Sequence, residues 1–283
     1  MRIDIGGCRL FFEVEGAKLR PEGPRMREVP TLILLHGGPG FDHSTYKPLF
    51  SALADAVQVV YLDHRGQGRS DERATPERWN LNQWAQDLKA FCDALEIEKP
   101  IVLGNSFGGF VAIAYGARYA EHPAKLVLSS TLAKDRPERR LAMFRQLGGA
   151  DAAEVAQRFW DDPSRENFGD YMRVCMPLYN PGGALADPDA QRRTVFNLEV
   201  GANWIRREQR VMDLFCELRR ITCPTLVLAG ELDPVCTITD MEELAAAIPP
   251  HLVRFERFPD AGHGVFRDQP DKALRILREF IAA

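Results

Sequence analysis

Basic excess is missing from this chain of 283 residues, in which 36 Lys and Arg stand against 40 Asp and Glu for a net charge of −4. Without a cationic surplus nothing drives the protein toward nucleic-acid phosphate or an anionic membrane, so neither is expected as a partner. Long apolar runs are scarce too. The longest stretch without a charged residue, 100–117, contains Asn105, Ser106, Gly104, Gly108, Gly109 and Gly116. It reads as strand, tight turn and helix rather than a membrane span. The first residues do not read as a leader, because Asp4 interrupts them and Glu13 and Glu15 follow. Six cysteines, at 8, 92, 175, 216, 223 and 236, form no CxxC pair and no regular framework, which predicts reduced thiols in a cytoplasmic protein. The six histidines include no HxH or HExxH spacing, so no metal is expected. Neither GxxxxGK[ST] nor GxGxxG occurs, and no cofactor is expected. There is no internal repeat.

What is present is an ordinary globular composition, 45% hydrophobic and 27% charged, sufficient for a sizeable core. Residues 8–14 predict an antiparallel or edge strand, and 16–30 a loop rich in Pro, Gly and charge. Short apolar runs without alternation follow at 31–35, 57–62, 101–103, 126–128 and 225–228, with a further strand predicted at 252–258. Such runs belong to strands buried on both faces. Between them Leu81, Trp84, Leu88, Phe91 and Leu95 recur at helical spacing, as do Leu274, Leu277 and Ile281 within 266–281. The alternation predicts an α/β fold, a mostly parallel, doubly wound sheet. From 134 to 217 the strand runs stop, and Trp160, Met172, Met176, Trp204 and turn clusters beginning at Asn180 and Ala186 appear instead. This predicts a helical cap, 134–217, inserted into a core formed by 1–133 and 218–283.

Three motifs carry chemistry. Gly104-Asn-Ser-Phe-Gly108 follows a strand run and precedes a helical stretch, the setting a nucleophile elbow requires. Ser106 is the candidate nucleophile; the plainer alternative is a serine capping a helix after a tight turn. His36-Gly-Gly-Pro-Gly40 ends the run 31–35, where glycines free backbone N–H groups to face an oxyanion. His36 there is either a loop tie or, less simply, a base. Late in the chain Asp233, in Gly-Glu-Leu-Asp-Pro, and His263, in Asp-Ala-Gly-His-Gly, each follow a predicted strand. Glu231 competes with Asp233, but the later residue lies beyond the strand, where a triad acid belongs.

The order Ser106, Asp233, His263, together with His36-Gly-Gly-Pro-Gly40 and Asp63-His-Arg-Gly-Gln-Gly-Arg-Ser70, resembles the α/β-hydrolase superfamily over nearly the whole chain. The pairing of HGGPG with DxRGxGxS resembles its proline iminopeptidase branch in particular. The resemblance implies an α/β-hydrolase fold with Ser106 as nucleophile, Asp233 as acid and His263 as base. It implies the backbone N–H groups of Gly38 and Phe107 as oxyanion donors, and Asp63 and Arg65 as braces of the fold. Iminopeptidases carry a Trp after the serine, where this chain has Phe107. They bind the substrate's amino group with acidic cap residues, for which Glu199 is a candidate counterpart here; a solvated surface carboxylate is its other reading. Trp160 and Trp204 are candidates for lining an acyl pocket, with packing of the cap itself as the alternative.

The chemistry expected is two-step acyl transfer on a small-molecule substrate without a metal. A carboxylesterase or lactonase acting on an uncharged, largely apolar substrate comes first. An iminopeptidase-type aminopeptidase is the alternative, and a non-catalytic small-ligand receptor on the same fold the third.

Overall fold

The computed structural model describes residues 1–71, 76–182 and 189–283. Ten strands form among the described residues: β1 (Arg2–Asp4), β2 (Arg9–Glu15), β3 (Leu19–Glu22), β4 (Arg25–Glu28), β5 (Thr31–Leu35), β6 (Gln58–Leu62), β7 (Ile101–Asn105), β8 (Lys125–Ser129), β9 (Thr225–Gly230) and β10 (Val253–Phe258). Eight of them make one sheet in the order β1-β2-β6-β5-β7-β8-β9-β10. From β6 to β10 all neighbours are parallel, while β1 and β2 add an antiparallel edge. The runs read as doubly buried are so: every residue of β5 and β9 is buried. β10, at the far edge, keeps a mostly half-buried pattern.

Ten helices accompany the strands among the described residues. α1 (Leu81–Ala94) and α2 (Phe107–Arg118) precede β8; α3 (Pro137–Asp161), α4 (Arg165–Val174), α5 (Ala190–Arg193), α6 (Leu198–Trp204) and α7 (Phe215–Leu218) lie between β8 and β9; α8 (Ile238–Ala247), α9 (Val265–Asp268) and α10 (Pro270–Ala282) follow. The apolar spacing of α1 is realised, with Leu81, Trp84, Leu88 and Phe91 all buried. The periodic stretch at 266–281 divides into α9 and α10, because Pro270 has no N–H to continue a helix and instead occupies the first turn of the next one.

Two features depart from the sequence expectation. The loop expected at 16–30 contains the β3–β4 hairpin, whose strand β4 is exposed throughout and whose polar composition gives no alternation to read. β1 was not anticipated either; it is three residues long and pairs only with β2. Of the two turn clusters, Pro181 and Gly182 do form a turn, whereas Gly183 and Ala186-Asp187-Pro188 lie outside the described residues.

Chain order sets where the site falls. From β5 the chain pairs β6 on one side, then returns to place β7 on the other side of β5. In open α/β sheets the crevice beyond the strands' carboxyl ends at such a reversal receives ligands. His36-Gly37-Gly38 leaves β5 there, and Ser106 leaves β7.

Candidate active site

Ser106 stands between β7 and α2 with φ 53° and ψ −120°, a backbone conformation that costs a non-glycine residue about 1–3 kcal/mol. The surroundings enforce it. A β-carbon at Gly108 would lie 2.0 Å from the carbonyl oxygen of Leu35, and one at Gly104 would lie 2.2 Å from that of Gly108. Only glycines let strand, turn and helix approach this closely. The Ser106 N–H donates to the Ser129 carbonyl at 2.9 Å, and the Ser106 carbonyl accepts from the Thr131 hydroxyl at 2.9 Å and the Gly109 N–H at 2.8 Å. Both β8 and α2 therefore hold the turn, and the serine side chain remains half-exposed.

Two groups of backbone donors adjoin it. Phe107 is the first residue of α2, where N–H groups have no partner within the helix and the dipole favours negative charge. A β-carbon at Gly37 would sit 3.3 Å from Ser106 Cβ, so the loop carrying Gly38 lies directly against the serine. His36 explains how that loop is held. Its Nδ1–H donates to the Gly37 carbonyl at 2.8 Å, and its Nε2 accepts the His64 N–H at 3.3 Å. Both bonds suit a neutral ring, and burial pushes its pKa below the ordinary histidine value. His36 is a loop tie.

Asp233 follows β9 and is fully buried; His263 follows β10 and is 5% exposed. His263 Nδ1 lies 2.9 and 2.8 Å from the two Asp233 carboxylate oxygens. Asp233 Oδ1 also accepts the N–H groups of Val235 and Cys236, both at 2.8 Å, which fixes the carboxylate's orientation. Glu231 points elsewhere: its carboxylate pairs with Arg257 at 3.6 Å. The histidine's partner is thus Asp233.

Cys236 adds a thiol to this pair. Its sulfur, an Asp233 oxygen and a His263 nitrogen lie within 4.8 Å of one another, all buried. The donor types would suit a thiophilic divalent ion. The thiol's burial and the neighbouring Asp233 push its pKa well up, however, and His263 Nδ1 already faces the carboxylate. Those are conditions for hydrogen bonding rather than ligation.

The motif Asp63–Ser70 braces the neighbouring loops. Asp63 Oδ1 accepts from the His43 N–H at 3.0 Å and ring Nδ1 at 2.7 Å, and Oδ2 accepts the Arg69 N–H at 2.9 Å. Arg65 grips Asp87 of α1 with two bonds of 2.6 Å, both residues buried. Gln67 Oε1 accepts the Gly40 N–H at 2.6 Å, linking this motif to the glycine loop.

The insertion reaches the same region. Asn197 donates its N–H to the Gly40 carbonyl at 2.7 Å and its side-chain amide to the Gly66 carbonyl at 2.9 Å. Trp204 is 1% exposed, stacks on Phe110, lies edge-on to Phe107 and donates its indole N–H to Gln209 at 2.9 Å. Trp204, a candidate for lining an acyl pocket, is thus placed where its ring joins α6 to α2. Trp160 is half-buried, with the Arg140 guanidinium 4.1 Å above its ring and Tyr171 at its edge. Glu199 is exposed in the first turn of α6, with its N–H capped by the Asn197 side chain. Sequence reasoning missed Thr131, Tyr179 and Asp268. Thr131 and Tyr179 sit in no periodic pattern or recognisable motif, Asp268 is not one of the apolar positions of 266–281, and each makes a contact distant in the chain.

A family model described as the alpha/beta hydrolase fold matches residues 30–270. The chain belongs to the α/β-hydrolase fold family. Among curated proteins it is 28% identical over 283 residues to proline iminopeptidase PfmaB of Pestalotiopsis fici, covering 96% of this chain and 98% of that one. It is 30% identical to 3-oxoadipate enol-lactonase 1 of Acinetobacter baylyi, covering 88% of each. A thermophilic esterase from Thermogutta terrifontis aligns over 100% of this chain and 98% of its own, with a TM-score of 0.74 and 27% identity. This α/β-hydrolase is an enzyme, and the activity its relatives share is hydrolysis. Among its described residues no helix is long and apolar enough to cross a membrane.

Proposed function

We propose that the enzyme is a serine hydrolase that cleaves a carboxylic ester or lactone of a small, largely apolar substrate through an acyl-enzyme. The observation that carries this is the Asp233–His263 pair, buried and bonded through Nδ1, on the same sheet edge as a serine in a strained elbow. Ser106 Oγ attacks the substrate carbonyl while His263 Nε2 takes its proton. Asp233 keeps the remaining ring proton on Nδ1 and stabilises the imidazolium that forms. The carbonyl oxygen, now negative, is received by the N–H groups of Gly38 and Phe107, each worth about 3–4 kcal/mol in comparable sites. Collapse of the tetrahedral intermediate expels the alcohol, which takes its proton from His263. Water, activated by the same histidine, then attacks the acyl-enzyme and releases the acid.

Residues 134–217 act in this scheme as a cap over a core of 1–133 and 218–283. The bonds from Asn197 to the loops after β5 and β6 support that role. Six free cysteines support a cytoplasmic setting.

An aminopeptidase of the proline iminopeptidase kind is the second reading, favoured by the full-length likeness to such an enzyme. It needs a desolvated carboxylate for the substrate's amine, and the exposure of Glu199 speaks for an ester or lactone instead. The deciding experiment compares a p-nitrophenyl acyl ester series, an acyl lactone and an N-terminal-proline amide on wild type and Ser106→Ala. Ester or lactone turnover lost in the variant supports the first reading. Turnover of the prolyl amide alone replaces it with the second.

A further inference from the structure

One stretch of the insertion touches the histidine loop at every level of its structure. The carbonyl oxygen of Tyr179 accepts the backbone N–H of His263 at 2.7 Å. The Tyr179 ring meets the His263 imidazole at a centroid distance of 4.9 Å and an angle of 75°. Its hydroxyl is tied to that of Tyr171, in α4, at 2.8 Å. The next residue, Asn180, donates its amide to Asp268 Oδ1 at 3.0 Å, and Asp268 Oδ2 accepts the Gly262 N–H at 2.8 Å. Gly262 itself has to be a glycine for this approach, since a β-carbon there would lie 2.2 Å from the Tyr179 carbonyl oxygen.

Asp233 constrains only one end of the imidazole. Hydrogen bonding through Nδ1 alone, shared between the two Asp233 oxygens, leaves the ring free to rock about that contact, and with it the position of Nε2. The Tyr179 ring edge removes that freedom, and its carbonyl pins the backbone from which the ring projects. We propose that Tyr179 is a positioning residue for His263, so that seating of the insertion and alignment of the catalytic base are one event. The proposal rests on the serine-hydrolase reading above. It adds that a side chain of the insertion, far from any motif, sets the geometry of proton transfer. A displacement of about 1 Å at a reacting group can cost on the order of 100-fold in rate.

The test uses the full-length enzyme with a fluorophosphonate probe and p-nitrophenyl acetate. Wild type, Tyr179→Phe, Tyr179→Leu, Tyr179→Ala and Gly262→Ala are compared, each checked for folding by circular dichroism. For every folded variant that lacks the ring or displaces the carbonyl, labelling of Ser106 and kcat should fall roughly 10- to 100-fold with KM little changed. Tyr179→Phe, which keeps ring and carbonyl and loses only the link to Tyr171, should restore most of the rate. Tyr179→Leu fills similar space without an aromatic edge and decides the matter if the alanine variant does not fold. Wild-type labelling rates in Tyr179→Leu, a rise in KM at unchanged kcat, or a Phe variant as slow as the Leu one would each overturn the positioning role. Absence of Ser106 labelling in the wild type would instead overturn the serine-hydrolase reading on which the proposal stands.

Discussion

The carboxyl ends of the sheet strands and the insertion between β8 and β9 meet at the loops after β5, β6 and β10, but they hold their residues in place by different means. At the sheet ends the restraints are local ones acting alongside bonds between neighbouring strands and their loops. Ser106 is shaped by glycines two residues to either side, His36 bonds to the carbonyl of the next residue, and Asp233 is fixed by N–H groups two and three residues on. In the insertion they are distant in sequence. Asn197 reaches Gly66, Trp204 packs on Phe107, and Tyr179 meets His263. In the proposed scheme the reacting groups thus sit where short stretches of chain impose much of the geometry, and the cap where geometry depends on how the helices dock. Changes at the sheet ends should alter the reaction step itself, whereas changes in the insertion should act through alignment or binding.

The sharpest way to break that division is at Ser106. Replacement by alanine should lower kcat by about 10⁶-fold, leaving what the oxyanion donors and binding contribute. Fluorophosphonate labelling located by mass spectrometry checks the same residue, and modification at Ser129 or Ser130 would reassign the nucleophile. Next comes the acid. Asp233→Asn should cost about 10⁴-fold in kcat by favouring the wrong histidine tautomer, while Glu231→Gln, whose carboxylate faces Arg257, should leave kcat near wild type. Equal losses in the two variants would undo the distinction between them.

A third test separates bracing from chemistry within the sheet region. Arg65 and Asp87 form a buried bidentate pair, and removing either partner leaves the other charge uncompensated. Asp87→Ala should destabilise the fold by about 3–5 kcal/mol in urea unfolding, with kcat of the folded fraction retained.

Acid should expose the same region. Burial lowers the pKa of both His36 and His64, and for His36 it outweighs the opposing fields of Asp63 and Asp42. The unfolded chain then takes up these protons first, near pH 6.5. Stability from these two groups is complete above that pH and declines as the pH falls through it, with a limiting slope of about 2.7 kcal/mol per pH unit for two protons. Asp240 and Asp268, whose pKa values burial raises, act in the opposite sense at lower pH. Urea midpoints between pH 7.5 and 5.5 test the histidine limb, and a flat profile would show that these rings do not remain neutral. The smallest effect belongs to the insertion's exposed carboxylate. Glu199→Gln should leave ester hydrolysis unchanged within about twofold, as for other surface substitutions. A sharp rise in KM for a prolyl amide would move the enzyme toward the aminopeptidase reading.

Much of this was legible from residue order alone. Unalternating apolar runs such as Thr31–Leu35 and Thr225–Gly230 announce strands buried on both faces, and a doubly wound sheet follows from their alternation with helices. The glycines around Ser106 announce a sharp turn, because no other residue tolerates the approach. His36-Gly37-Gly38 and Asp63–Ser70 are legible as residue patterns that follow β5 and β6, although several of their bonds, as from Arg65 to Asp87 and Gln67 to Gly40, reach distant segments. Residue order already favours Asp233 over Glu231, two residues earlier, and the docking of the β10 loop brings the imidazole to Asp233 while Glu231 faces Arg257. Tertiary structure alone decided that Trp204 is buried against Phe107 and Phe110, that Glu199 faces solvent and that Tyr179 stands against His263. The β3–β4 hairpin escaped notice because its exposed strands bury no face and so leave no hydrophobic period. A local constraint writes itself into adjacent residues, whereas a contact between segments separated by 84 positions, as between Tyr179 and His263, depends on the whole fold to exist.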